Sequence, residues 1–430
     1  MGGRMSSLLL AFVVLGFFSL VSKINFFIKY RIQGSLIAGI VGLAFFSVFT
    51  DFQNSIEYTS WKDWPGITIA LVFSALFLEI RSKSEEKGNF SELYTQTSYV
   101  YIAILGQMFI GVVSTFLIFK PIFKLPMSFS SILENGFAGG HGTAVAMKQA
   151  YIDNGLPNGS EYALFSATIG IILGIAGGIF LVETSKTNKP KIIEEHVEYN
   201  TSFDLPKLFI NLGIICGGVY LGYLLKNKIK ELNPTLPEFP LFVYSLIVSV
   251  IVRNFLVFIG KKSLIDNSII SFLSNFFMEI LIFTAISTMN LSVITEALLP
   301  MMLLFSMGFL WNLLCYFLLR KKLLSDDISL ELSILNFGML NGTTAIGLML
   351  LKMIDPDLKS RAIKIFAESA PLTSPVVGGG VLTLSLPYLL ESVGSVPIAM
   401  ILFFSIVIIY ISAVYTKQKS LQHPGSNVQS

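Results

Sequence analysis

Charged and metal-ligating side chains are scarce in this chain. Asp, Glu, Lys and Arg make up 13% of its 430 residues, and there are three histidines and two cysteines. Soluble domains carry about a quarter of their residues as these four types, so this share excludes an ordinary soluble enzyme. Cys216 and Cys315 both fall inside apolar runs and read as small core residues, not as a disulfide or a thiolate pair. No second His or Cys stands at metal-ligand spacing from His141, which argues against a transition-metal site. Ser/His/Asp, paired-Asp and HExxH arrangements are also missing, so an enzyme is not expected. Lys and Arg sit mostly in short loops, and a net charge of +3 offers no face for nucleic acid.

What the chain has in quantity is apolar surface. Hydrophobic residues reach 53%, and mean hydropathy is +0.72. Runs able to cross about 30 Å of hydrocarbon begin near residues 7, 34, 66, 97 and 161, and again near 207, 239, 269, 295 and 365. A further run, 396–415, has no counterpart. The first run follows Arg4 as a signal peptide would, yet no small-residue cleavage site comes after it and a matching run recurs later. It is therefore expected to be a span. The pattern predicts an all-α polytopic membrane protein without a separate soluble domain.

The two sets of runs are offset by close to 200 residues, which predicts a repeat. The expected boundaries are a first repeat over 1–183, a polar linker over 184–206, a second repeat over 207–392, an extra helix over 393–416 and a tail over 417–430. Each repeat holds about five transmembrane helices plus one re-entrant hairpin, near 127–151 and near 328–353. An odd number of crossings would invert the second repeat. With the N-terminus outside, twenty-one Lys and Arg positions fall on inner loops and eight on outer ones, the bias that the positive-inside rule requires.

Both expected hairpins are marked by glycine. SSILENGFAGGHGTAVAMKQAY, 130–151, packs Gly136, Gly139, Gly140 and Gly142 around His141, with Thr143 beside them. NFGMLNGTTAIGLMLL, 336–351, contains Asn336, Gly338, Asn341, Gly342, Thr343 and Thr344. Each glycine disfavours helix by about 1 kcal/mol relative to Ala. Such clusters at membrane depth imply unwound backbone that lines a cavity or is covered by protein. A lone cluster is explained by close helix packing; two at matching places point to a transporter's binding site. Unwound carbonyls and the hydroxyls of Thr143 and Thr344 suit Na⁺, and helix N-terminal ends suit a carboxylate. Thr373 and Ser374, beside Pro375 and Gly378 to Gly380, add hydroxyls at another break.

Among the charges inside apolar runs, Glu134 precedes the first glycine cluster, and Glu279 sits in NFFMEILIF. A buried carboxylate needs a partner or a proton. Arg253 in the neighbouring helix is the expected partner of Glu279; without it, Glu279 would be a proton-coupling group. Lys148 and Lys352 follow the two clusters at corresponding places, either drawing in an anion or lying solvated at hairpin ends. His141 is either a ligand or a fastener of loop carbonyls.

AGGHGTAVAM resembles the GGHGT hairpin motif of the bacterial glutamate:sodium symporter family, and SATIGIILGIAGG resembles the glycine-rich helix that follows it. FFIKYRIQGSLIAGIVGL, EFPLFVYSLIVSVIVRN and the helices up to NFGMLNGTTAIG are similar in order and length. The resemblance implies sodium-coupled uptake of glutamate or a similar acidic amino acid. It also implies Na⁺ as coupling ion with no other cofactor, a homodimer in the bacterial inner membrane, and elevator-type alternating access. Where the family's second hairpin reads GFGLGATPTA, Phe337, Gly338, Thr344 and Ala345 match, while Leu340–Asn341–Gly342–Thr343 replaces GATP. SALFLEI stands where the family has ATIGLN, and SAPLTSPVVGGG matches only loosely. A proton- or sodium-coupled carrier of dicarboxylates or other organic anions therefore stays open, as does a channel.

Overall fold

The computed structural model describes residues 2–24, 34–49, 52, 55–78, 90–185, 204–232, 241–355 and 360–422. Most of the expected polar linker and the last eight residues lie outside them. In chain order the helices begin with α1 (Gly2–Val21), α2 (Gly34–Val48), α3 (Ile56–Leu78) and α4 (Phe90–Phe123). The first glycine-broken stretch supplies α5 (Ile132–Phe137), α6 (Gly140–Ala146) and α7 (Lys148–Asp153), and α8 (Gly159–Thr184) follows. Next come α9 (Leu205–Leu232), α10 (Leu241–Phe258), α11 (Asn267–Ser287), α12 (Leu291–Glu296) and α13 (Leu298–Leu323). The second broken stretch gives α14 (Ser329–Asn341) and α15 (Thr344–Ile354); α16 (Ala362–Thr373), α17 (Val381–Ser392) and α18 (Ser395–Gln422) complete the order.

No strand occurs among the described residues, and seven of their helices are long and apolar enough to cross a bilayer. These are α4, α8, α9, α10, α11, α13 and α18, so the protein is a multi-pass membrane protein. The apolar run expected over 365–390 is two helices, α16 and α17. Pro375 lies in the turn between them, where Gly378 (φ +66°) and Gly379 (φ +101°) take left-handed backbone that other residues rarely adopt.

The offset read from the sequence reappears in fine detail. α4 and α13 each contain one π-helical turn, Thr115–Phe119 and Cys315–Leu319, whose first residues differ by 200. Each turn is followed by a four-residue helical end, Lys120–Phe123 and Arg320–Leu323, and then by a glycine-broken stretch. A π turn adds a residue to the helical ladder and is common near functional sites.

The chain folds into two compact units, and each draws on both halves of the sequence. One comprises Met1–Lys83 and Glu194–Leu291; the other comprises Ser84–Ile193 and Ser292–Ser430. In the first unit, small residues let α3, α9 and α10 approach closely. Ser74 Oγ lies 2.8 Å from Ser249 Oγ and donates to the Ile215 carbonyl over 3.0 Å, and a Cβ at Gly218 would press on both serines. α11 starts on Asp266, whose carboxylate accepts from the Ser268 and Ile269 N–H groups, satisfying two of the donors that a helix start leaves free. Trp61 packs its ring edge-on against Phe283 and donates to the Ser7 carbonyl over 3.1 Å.

The second unit holds both broken stretches. α4 is its central helix and packs against α18, α16 and α13. Trp311 Nε1 on α13 donates to the Ala103 carbonyl over 2.8 Å, and Gly106 leaves room for the indole. Tyr94 Oη and Ser412 Oγ, 2.8 Å apart, tie α4 to α18.

Candidate functional site

Both glycine-broken stretches turn back on themselves. In the first, Asn135 Nδ2 donates to Tyr151 Oη over 2.6 Å, and Ser128 Oγ donates to the Asn154 carbonyl over 2.9 Å, so the two limbs lie side by side. In the second, a Cβ at Gly338 would lie 2.7 Å from Gly347 Cα, which brings α14 and α15 into backbone contact. Thr343 ends the turn: its hydroxyl accepts from the Ile346 N–H over 3.4 Å and caps α15.

The two turns meet. A Cβ built on Gly140, whose φ is +68°, would lie 3.6 Å from the Gly342 carbonyl oxygen. α8 forms a shared wall behind them. A Cβ at Gly170 would collide with the Asn341 carbonyl, and Gly174 faces the Asn341 side chain. His141 Nε2 lies 3.1 Å from Thr168 Oγ1, and Ser160 Oγ donates to the Ala144 carbonyl over 2.9 Å. GGHGT, NGTT and the glycine-rich helix thus converge in one unit.

Within this region the expected residues have different roles. Gly139 and Thr143 are linked, since Thr143 Oγ1 donates to the Gly139 carbonyl over 2.9 Å. Gly142 and His141 are buried, whereas Thr344 is exposed at the first turn of α15. Asn341 donates to the Phe337 carbonyl over 2.8 Å and accepts from Asn312 Nδ2 over 2.9 Å. Asn336 exchanges hydrogen bonds with Gln96. Thr373 is buried at the end of α16, and Ser374 is exposed just beyond it. Lys148 is exposed and Lys352 half-buried.

The buried acid Glu134 reaches the α16–α17 turn. Its Oε1 accepts from the Gly378 N–H over 3.1 Å and from the Thr383 hydroxyl over 2.8 Å. Arg253 and Glu279 belong to the other unit, and no ion pair joins them among the described residues. The Arg253 guanidinium donates to Asn254 Oδ1 over 3.3 Å from both Nε and Nη2. The expected pairing is not seen: α10 and α11 each pack against α3 and hardly touch one another, so the two side chains are not brought together.

Sequence reasoning missed a chain of buried amides. Gln107 Nε2 donates to Asn312 Oδ1 over 3.0 Å and to the Leu340 carbonyl over 2.9 Å, and Asn312 continues to Asn341. The available signal was a lone amide inside an apolar run, GQMF on α4 and WNLL on α13, since polar groups inside a membrane are costly and commonly functional. Thr168 and Thr383 had no comparable signal.

Comparison with known proteins completes this description. A family model described as sodium/glutamate symporter matches residues 3–350, a span that includes GGHGT, the glycine-rich α8 and NGTT. A search of curated proteins returned no match. The chain belongs to the sodium/glutamate symporter family, and sodium-coupled symport of glutamate is the activity that this membership carries.

Proposed function

We propose that the protein performs this symport by elevator-type alternating access, with its two broken stretches acting as re-entrant hairpins of an inverted repeat. The observation that carries the reading is the approach of Gly140 to the Gly342 carbonyl inside a single compact unit. Two interrupted helices that meet at their breaks leave backbone carbonyls and N–H groups unspent, the requirement for binding an ion and an anion together in a membrane. In this scheme the substrate's carboxylates face the positive end of α15, where Thr344 is exposed. Na⁺ takes carbonyl oxygens with the hydroxyls of Thr143 and Thr344, and Thr373 and Ser374 supply further oxygens. Binding both together cancels charge, so the loaded unit moves more easily than a half-loaded one. That unit moves against a scaffold dimerised in the bacterial inner membrane. His141 acts as a positioning residue through Thr168.

A second reading, transport of another organic anion, draws support from Asn341, whose amide occupies the second turn where the family motif has no such group. Uptake into proteoliposomes tests both. Concentrative uptake of L-glutamate under an imposed Na⁺ gradient, lost in Gly140→Val and Thr344→Val, is the expected result. Absence of glutamate uptake by folded protein, together with uptake of a dicarboxylate, would replace the first reading by the second. Conductance above any carrier turnover would replace both by a channel.

A further inference from the structure

The first unit contains a cavity of about 710 Å³, a volume within the range of small-molecule sites. One face of α3 lines it, because Thr59, Ser60, Asp63, Ile67 and Leu71 recur at helical spacing. That face changes character along its length. Its first turns carry two hydroxyls and the Asp63 carboxylate; beyond Trp64 it carries Ile67 and Leu71. Thr68, further along, spends its hydroxyl proton on the Trp64 carbonyl over 2.9 Å. The facing wall is apolar, with Phe12 from α1 and Phe276, Phe277 and Ile280 from α11. The Phe12 and Phe276 rings stack with their centroids 6.1 Å apart, joining α1 to α11 along this wall.

Asp63 is exposed, and its side chain has no hydrogen bond or ion pair among the described residues. Lys62, beside it in the chain, does not line the cavity. Asp63 stands three residues before the apolar run that begins near residue 66. It therefore lies at the level of lipid headgroups, while Ile67 and Leu71 reach into hydrocarbon. An unpaired carboxylate at that depth calls for a cation, and Trp64 supplies an aromatic ring next to it in the lining. Phe12, Ile67 and Phe276 are exposed, so the cavity is open at its rim. A negative end and an apolar body match a molecule with a positive head and an apolar tail.

We propose that this cavity binds one phospholipid whose headgroup ends in a primary ammonium, the phosphatidylethanolamine class. The ammonium sits on the Asp63 carboxylate, and an acyl chain runs past Ile67 and Leu71 between α1 and α11. A primary ammonium has three N–H donors and makes charge-assisted hydrogen bonds to a carboxylate. A choline headgroup has the positive charge without the donors, and an anionic glycerol headgroup meets Asp63 with like charge. The lipid so held bridges α1, α3 and α11 inside the first unit. The site stands whether or not the protein carries glutamate.

Native mass spectrometry of the delipidated full-length protein tests the site, by titration with phosphatidylethanolamine, phosphatidylcholine and phosphatidylglycerol of identical acyl chains. The ethanolamine lipid should bind at least about tenfold more tightly than the glycerol lipid, the yield of one charge-assisted contact. Asp63→Asn removes a charge that is exposed and unpaired, so the variant should fold. It should bring the three affinities to within about twofold of one another. Ile67→Trp narrows the apolar part and should weaken all three lipids without changing their order. Equal affinities in the wild type, or an unchanged preference in monodisperse Asp63→Asn, overturns the proposal. Wild-type binding by Ile67→Trp would place the acyl chain elsewhere and overturn it too. A second copy of this chain covering the cavity is the remaining occupant. Disulfide cross-linking between copies in bilayers through Ser60→Cys, with Cys216 and Cys315 replaced by Ala, would show that copy and overturn the lipid site.

Discussion

Gln96 and Asn336 hold each other by both ends of their amides. Gln96 Nε2 donates to Asn336 Oδ1 over 2.8 Å, and Asn336 Nδ2 returns a bond to Gln96 Oε1 over 2.9 Å. Both side chains are fully buried, so the pair fastens α14 to α4 at no cost in unpaired polar atoms. Removing one amide strands the other. Gln96→Leu or Asn336→Leu should each cost about 1–3 kcal/mol. The double variant should cost clearly less than the two singles added together. Reversible unfolding in mixed micelles measures all three, and strict additivity would mean that the pair is not coupled.

Much of this was legible in the sequence because it is local. A glycine cluster weakens a helix wherever it stands, so both breaks could be placed from 136–142 and 338–344 alone. Length and hydropathy gave seven of the eleven expected spans among the described residues, and the offset near 200 recurs between the π turns at Thr115 and Cys315. Hydrogen bonds between distant segments were not legible. Glu134 could be marked as a buried acid, but its partners Gly378 and Thr383 lie more than two hundred positions away. Periodicity says which face a residue occupies and nothing about what faces it. Arg253 makes the converse point, because α10 and α11 follow one another in the chain yet pack against α3 and hardly touch each other.

Gly140 separates backbone strain from bulk. Its φ of +68° disfavours any L side chain, at a cost of about 1–3 kcal/mol, while the nearest atom to an added Cβ, the Gly342 carbonyl oxygen, lies at an ordinary 3.6 Å. Gly140→Ala should therefore lower stability by strain alone and retain part of the uptake. Gly140→Val adds methyl groups between the two turns and should abolish uptake in protein that remains monodisperse. Equal loss in both variants would assign the effect to the backbone.

A charge cluster joins the two chain ends of the second broken stretch, Asp327 before it and Arg361 after it. Arg361 Nη2 reaches Asp327 Oδ2 over 2.6 Å and Nη1 reaches Glu92 Oε2 over 3.2 Å, while Ser325 Oγ donates to Glu92 Oε1 over 3.3 Å. Asp327 first, then Glu92, holds the Arg361 guanidinium above even its ordinary pKa, so it stays charged throughout the usable pH range. The Asp327 side chain is 58% exposed and that of Glu92 only 9%. Screening by water and salt limits the exposed arm to about 0–1 kcal/mol. Asp327→Asn should therefore matter little at low salt and not at all in 1 M salt. Glu92→Gln should destabilise more and keep most of its effect in salt. A reversed order would place the energy in the exposed pair.

Lys417 gives the extra C-terminal helix a structural role. Its Nζ donates to the Leu324 carbonyl over 2.6 Å and to the Lys321 carbonyl over 3.1 Å, at the end of α13. The last carbonyls of a helix have no partner within it and carry the negative end of its dipole, so a cation there satisfies both. The Lys417 side chain is 14% exposed, which limits screening, whereas Asp326, 3.7 Å away, is 96% exposed and should add little. Lys417→Met keeps the packing of the aliphatic stem and removes the donors. It should cost about 1 kcal/mol. Lys417→Arg should recover part of that, and Asp326→Asn should leave stability unchanged. Thermal unfolding in micelles compares the three. If Lys417→Met matched wild type while Asp326→Asn did not, the ion pair and not the helix end would be the contact that matters. With the predicted order, α18 secures the chain just before Ser329, where the second broken stretch begins.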